Sequence, residues 1–356
     1  MPNATPNSLR VAVAGVTGYA GAELARILLD HPRFRTQAPI FLGRPASEGG
    51  AAIALTSLHP QLSGLPNTDG LSVIPFDWNE LQREGVELLF LATPHEQSRE
   101  WAQQALAHGI RVVDLSAAWR LDTPAYRAIY KLEDTPATDA LQTEAVYGSP
   151  ELHGAEIAKA RLVANPGCYA TSVILALSPL VRANIVDLSA GIIADAKSGV
   201  SGAGKAPSAT THFMYAADNL SAYAVFGHRH TGELYEQLQL QPDQIQFTPH
   251  LLPIPRGILS TVYVRFAEPQ TLMSVQALFN EFYRDAPLVR VRQSPMLPQI
   301  QHVVRTSFCD IGFQLSPDGK RAVIIACLDN LLKGAASQAV ENMNLMAGWP
   351  QQEGLI

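Results

Sequence analysis

Three cysteines and ten histidines are the residues of this chain best suited to nucleophilic and proton-transfer chemistry. Cys168 stands in NPGCYATS (165–172), where Asn165-Pro166-Gly167 is turn chemistry after an apolar run and the thiol opens the next apolar helix. A thiol at a helix N-terminus meets the positive end of the dipole and unpaired N–H groups, which favour the thiolate. The competing reading is a small buried side chain. Cys309 and Cys327 lie inside apolar, strand-like runs and are expected to be inert core residues. GHRHTGEL (227–234) sets His228 and His230 two apart, with Thr231 as a possible cap and Glu233 in the following turn. A thiolate nucleophile commonly needs a histidine to manage its proton. Exposed loop histidines and a metal site are the alternatives, and HxH with no third ligand nearby makes an incomplete metal site, so none is expected.

Other motifs suit anions. AGVTGYAG (14–21) spaces Gly15, Gly18 and Gly21 as GxxGxxG between a strand and a helix, where backbone N–H groups can approach a pyrophosphate. The second strand ends FLGRPAS, with Arg44 where an NAD-binding acid would sit. A cation there suits a 2′-phosphate and so NADP; a solvated loop arginine is the alternative. SGVSGAGKAP (198–207) offers backbone donors and Lys205, and DLSAAWR (114–120) offers Arg120; either could hold an anionic substrate group or a cofactor phosphate. DNLLKGAA (329–336) begins a helix, with Asn330 either an ordinary cap or a return of the chain to the cofactor site.

These motifs need elements to hold them. LRVAVAG (9–15), APIFLG (38–43), VELLFLATP (86–94), RVVDLS (111–116) and RLVANPG (161–167) read as buried strands. Helical stretches at 22–32 and 96–109 alternate with them, which predicts a doubly wound α/β sheet with helices on both faces. After residue 168 the texture becomes α+β, with IQFTPHLLPIPRGILSTVYVRF (245–266) supplying long strands expected to be antiparallel. RAVIIACLDNLLKGAASQAVENMNLMAG (321–348) reads as strand, turn and helix.

Composition narrows the classes. The 356 residues are 47% hydrophobic and 16% charged, enough to bury a sizeable core and unlike a disordered chain. With 26 Lys+Arg against 32 Asp+Glu the net charge is −6, a poor footing for binding nucleic acid. The N-terminal MPNATPNSLR lacks the features of a secretory signal, and no apolar run reaches the eighteen residues of a membrane span. Three cysteines without a CxxC pair fit a reduced, cytoplasmic protein.

Together the motifs resemble the N-acetyl-gamma-glutamyl-phosphate reductase family, the arginine-biosynthetic relatives of aspartate-semialdehyde dehydrogenase. NPGCYATS, KSGVSGAGKAP, GHRHTGEL and TPHLLPIPRGILSTVYV carry the likeness in order along nearly the whole chain. The resemblance implies an NADP-binding Rossmann-type domain over 1–165 completed by 328–356, and a catalytic and dimerisation domain over 166–327. It implies NADPH-dependent reduction of a small acyl phosphate to a semialdehyde through a cysteine thioester. Cys168 then matches the nucleophile, and His228 or His230 the acid/base. Gly15, Thr17, Gly18, Tyr19, Ala20 and Gly21 match the phosphate loop, Ser198 and Gly199 the loop near the nicotinamide, Asn330 the returning cofactor contact, and Arg120 the holder of the substrate phosphate. Ala118 departs from the acidic residue expected in DLSxDxR and is closer to the aspartate-semialdehyde branch. Ile258, two residues after Arg256, argues the other way, since that branch has a histidine just after its arginine. An extended central sheet suggests a homodimer or homotetramer. The rivals are a Cys-His hydrolase or acyltransferase, a catalytically silent NADP-binding sensor, and the same chemistry on another acyl phosphate such as N-acetyl-aminoadipyl or aspartyl phosphate.

Overall fold

Val11–Ala14 and Leu88–Leu91 are buried at all four positions each. Strands without an exposed face belong in the middle of a sheet covered on both sides. In the computed structural model, which describes residues 9–65 and 67–356, they do. Residues 1–8, most of the stretch read above for signal features, lie outside the described residues. The first sheet is built from β1 (Val11–Ala14), β2 (Ile40–Leu42), β3 (Ile53–Ala54), β4 (Ser72–Ile74), β5 (Leu88–Leu91), β6 (Arg111–Asp114), β7 (Val146–Tyr147) and β8 (Leu162–Ala164). Their order is β3-β4-β2-β1-β5-β6-β8-β7, parallel except for the β3 edge. The chain winds outward from β1 in both directions, so the loop after β1 lies at the switch point where such sheets bind ligands.

This sheet belongs to a unit formed by residues 1–166 and 335–356. The Ala336–Met346 helix packs on the Tyr19–Asp30 and Pro150–Ile157 helices. Beyond it, the Trp349 ring lies 5.8 Å from His31 and 6.2 Å from Phe34.

Residues 167–334 form the second unit. Its sheet contains β9 (Ile192–Gly199), β10 (Ser221–Ala222), β11 (Ile245–Leu252), β12 (Ile258–Arg265), β13 (Val289–Val291), β14 (Cys309–Leu315) and β15 (Arg321–Leu328), in the order β10-β11-β9-β12-β15-β14-β13. The expectation of antiparallel pairing is corrected in part. β9 pairs with β11, and β13 with β14, in parallel, while the other neighbours are antiparallel. Between β9 and β11 the chain makes an excursion long enough to carry the Thr231–Leu238 helix, which returns it to the starting end of the sheet.

The helix Cys168–Arg182 packs on β12 and β15 and buries every residue from Tyr169 to Leu180. Pro179, which interrupts the apolar run in sequence, does not end it. Proline has no N–H for the Leu175 carbonyl one turn back, and the buried Tyr283 hydroxyl donates to that carbonyl instead. The turn after β15 stays with this unit as far as Gly334, beyond the expected boundary at 327, because its side chains are tied there. Buried Asp329 accepts from Arg256 Nη2 at 3.1 Å and from the Arg305 N–H at 2.7 Å.

Candidate active site

The glycine loop follows β1 directly. Gly15 has φ +84°, and a Cβ on it would fall 2.3 Å from the Ala92 carbonyl oxygen, so both conformation and close approach to the end of β5 demand glycine. A Cβ on Gly21 would fall equally close, 2.3 Å from Gly15 O, which packs the helix start against the loop. Gly18 caps the Tyr19–Asp30 helix without a side-chain hydrogen bond, and the first turn holds no acidic residue. The first N–H groups of a helix have no intrahelical acceptor, so those of Tyr19, Ala20 and Gly21 face an end suited to a phosphate. Thr17 is exposed and Tyr19 is 46% exposed. Arg44 is exposed in the loop just after β2, the parallel neighbour of β1, and so lies at the same end of the sheet as the glycine loop. The backbone cradle fits a dinucleotide pyrophosphate.

Arg120 is buried, and its guanidinium serves the backbone. Nε donates to Asn165 O at 2.7 Å and Nη2 to Leu115 O at 2.8 Å, which joins the ends of β6 and β8. Beside it, burial raises Asp114 above the ordinary carboxylate range, partly offset by the Ser116 hydroxyl and N–H.

In the second unit, Cys168 is the first residue of its helix, with Gly167 as the cap, and is partly exposed. Cys309 and Cys327 are fully buried, and burial pushes the Cys327 thiol far up. Glu233 is fully buried one turn after His230, and its Oε2 accepts the Gly167 N–H at 2.9 Å. A Cβ on Gly167 would fall 2.6 Å from His230 Nε2 and 2.7 Å from Glu233 Oε1. An imidazole nitrogen and a carboxylate therefore lie against the residue preceding the thiol. Gly334 closes the other side, since a Cβ there would fall 2.7 Å from Cys168 Cβ.

The two histidines, both buried, are in different situations. His228 Nδ1 accepts the His230 backbone N–H at 3.1 Å, and Nε2 lies 3.5 Å from the Tyr223 hydroxyl. Burial, with the Arg229 charge second, pulls His228 down to about 4, so it is neutral at pH 7. Tyr169 and Phe247 flank its ring at 5.5 and 5.3 Å. Burial holds Tyr169 and Tyr223 above the ordinary phenol range, so both stay protonated. The His228 ring is tied to the loop backbone by its bond from the His230 N–H. His230 is the ring beside the thiol's helix end, and it, rather than Thr231, caps the following helix.

Ser198 and Gly199 end β9, where Ser198 is 2% exposed. Asn330 is no helix cap, because the last helix begins at Ala336. Its Oδ1 accepts the Gly257 N–H at 2.7 Å and its Nδ2 donates to Ser201 Oγ at 2.9 Å, so the amide pins the loop after β9. Lys205 lies on the exposed part of that loop. Sequence reasoning noted Glu233 only as a neighbour, although its spacing of three from His230 on a helix put the two on one face. Gly334 gave no signal, since its reason is a contact with a residue 166 positions earlier.

Comparisons with known proteins agree with both units. Residues 10–160 match a family model described as semialdehyde dehydrogenase, NAD binding domain, and residues 168–330 one described as semialdehyde dehydrogenase, dimerisation domain. The fold is also that of solved semialdehyde dehydrogenases. Aspartate semialdehyde dehydrogenase II from Vibrio cholerae, complexed with ASA, superposes with a TM-score of 0.71 at 18% identity, covering 96% of this chain and 98% of that one. Proteins named N-acetyl-gamma-glutamyl-phosphate reductase are more similar in sequence. Those of Syntrophobacter fumaroxidans, Desulforapulum autotrophicum and Bacillus subtilis are 43%, 41% and 40% identical over 351 residues, 98% of each chain. The chain belongs to the N-acetyl-gamma-glutamyl-phosphate reductase family, and its first unit is a nicotinamide-dinucleotide-binding domain. Among the described residues no helix is long and apolar enough to cross a membrane.

Proposed function

We propose that this chain catalyses the NADPH-dependent reduction of N-acetyl-gamma-glutamyl phosphate to N-acetylglutamate 5-semialdehyde, with release of phosphate, in arginine biosynthesis. One observation carries the reading: His230 Nε2 and the Glu233 carboxylate lie against Gly167, beside a partly exposed thiol at a helix N-terminus. His230 takes the Cys168 proton, and Sγ bonds to the acyl carbon as the C–O bond to phosphate breaks, leaving a thioester. Bound reduced nicotinamide supplies the hydride for that carbon. His230 protonates the resulting hemithioacetal oxygen, and on collapse the C–S bond breaks and the proton returns through the imidazole to sulfur. Glu233 lies beside the ring against Gly167, while His228 holds the loop in place.

The glycine loop takes the pyrophosphate on its backbone and the Tyr19–Gly21 N–H groups, and exposed Arg44 favours NADP through the 2′-phosphate. Ser198, Gly199 and Asn330 shape the nicotinamide end, and Arg120 with Lys205 attracts the acyl phosphate. Ile193 and Tyr263, 47% and 44% exposed and opposite one another on β9 and β12, support a homodimer or homotetramer through the second sheet. Three cysteines without a CxxC pair fit a reducing, cytoplasmic setting.

The reverse assay tests the substrate. Protein mixed with N-acetylglutamate semialdehyde, phosphate and NADP should generate the absorbance of reduced nicotinamide. Silence there, with a signal from aspartate semialdehyde, moves the chain to the other acyl phosphate.

A further inference from the structure

The glycine loop is held from behind by a ring that the reaction above does not use. His59 is 8% exposed, and its Nε2 lies 2.8 Å from the Val16 carbonyl oxygen. A carbonyl only accepts, so the ring nitrogen carries the proton and donates. His59 stands between the short helix Leu55–Leu58 and the turn Pro60–Leu62. Its N–H donates to Leu55 O at 2.8 Å, and its carbonyl accepts the Leu62 N–H at 2.9 Å. Leu55 and Leu62 are 0% and 1% exposed, so the ring rests on a segment anchored in the core on both sides.

The C=O and N–H of one trans peptide point in opposite directions. Tying the Val16 carbonyl to His59 therefore turns the Thr17 N–H of the same peptide away from His59. Val16 is fully buried and Thr17 is exposed, so away from His59 is the open side of the loop. A flip of this peptide would break the bond to His59 as well as turn Thr17 out of its present backbone conformation. We propose that His59 is a positioning residue for the dinucleotide, holding the Val16 carbonyl so that the Thr17 N–H is aimed at the pyrophosphate. The inference rests on the reading of Gly15–Gly21 as the pyrophosphate loop.

Fluorescence titration tests it with two ligands, NADPH and 2′-AMP, the second lacking a pyrophosphate. In His59→Ala the Kd for NADPH should rise about tenfold while that for 2′-AMP stays within about twofold of wild type. The KM for NADPH should rise in parallel, with kcat at saturating NADPH unchanged. His59→Gln keeps a donor of similar reach and should restore most of the affinity. If His59→Ala melts below the assay temperature, His59→Phe, which fills the space without a donor, replaces it with the same expectation. Equal losses for both ligands, a Gln variant as weak as the Ala one, or an unchanged Kd each overturn the proposal. Wild-type protein that binds NADPH no more tightly than 2′-AMP removes the pyrophosphate loop itself, a separate failure.

Discussion

Two helices of this chain begin alike and are finished differently. Tyr19–Asp30 and Cys168–Arg182 each follow a strand of the first sheet, each is capped by a glycine without a side-chain hydrogen bond, and neither has an acid in its first turn. At the first, nothing acidic from the helix itself competes for the N–H groups, and the neighbouring cation, Arg44, is exposed. At the second, buried Glu233 takes the Gly167 N–H and His230 lies beside it, so the helix end is furnished from within and the incoming group meets a thiol. On the proposed function, the same dipole would serve a charge brought by a ligand in one unit and a charge made on the protein in the other.

If the two ends have separate tasks, damage to one should spare the other. Cys168→Ser should lower turnover by ~10³-fold or more, with the Kd for NADPH unchanged by fluorescence titration. Near-normal turnover would remove covalent catalysis and, with it, the contrast. Glu233→Gln keeps an acceptor for Gly167 but loses the charge beside His230. Its kcat should fall ~10–100-fold with KM for NADPH unchanged, and the pH dependence of Cys168 alkylation should shift. At the other end, Arg44→Ala should weaken NADPH about tenfold and leave NADH nearly as it was, read as a ratio of Kd values. Equal weakening of both cofactors would make Arg44 an ordinary loop residue.

The smallest effect concerns the histidine tied to the loop. His228 is held down to about 4, against an ordinary 6.5, by burial and the Arg229 charge. Between those values the unfolded chain takes up a proton that the folded chain refuses. This contribution to stability is therefore intact above pH 6.5 and is lost as pH falls toward 4. His228→Asn, which keeps an acceptor for the His230 N–H, should show a shallower fall in Tm across that window. Some slope should persist, because burial also lowers His31. Identical slopes in the two proteins would mean that the loop accommodates a charged ring.

The strand-loop-helix of the glycine motif and the NPGC turn are legible because glycine and proline mark them locally, although the contacts that demand Gly15 and Gly167 are distant in sequence. Strand ends were not; LRVAVAG promised 9–15 and pairing holds only Val11–Ala14. The parallel course of β11 beside β9 was hidden because it depends on how the Gly- and Ser-rich stretch after β9 returns, and that stretch has no periodicity to read. Of the two readings of Asn330, a cap or a return to the cofactor site, the cap fails for a related reason. A local rule fits any asparagine before a helix, whereas its real partners, Gly257 and Ser201, lie 73 and 129 residues away. Of the histidines, sequence supplies the pair, and only their different neighbours, the His230 N–H on His228 Nδ1 and Gly167 against His230 Nε2, tell the two apart.

The dinucleotide unit is completed by residues 335–356, which the chain reaches only after the whole of the second unit. During synthesis its sheet therefore emerges from the ribosome long before the Ala336–Met346 helix that covers it and the tryptophan that packs on His31. Until those arrive, an apolar face of a nearly finished domain stays open to water, and a nascent chain stalled in the second unit presents itself to chaperones and proteases as incomplete.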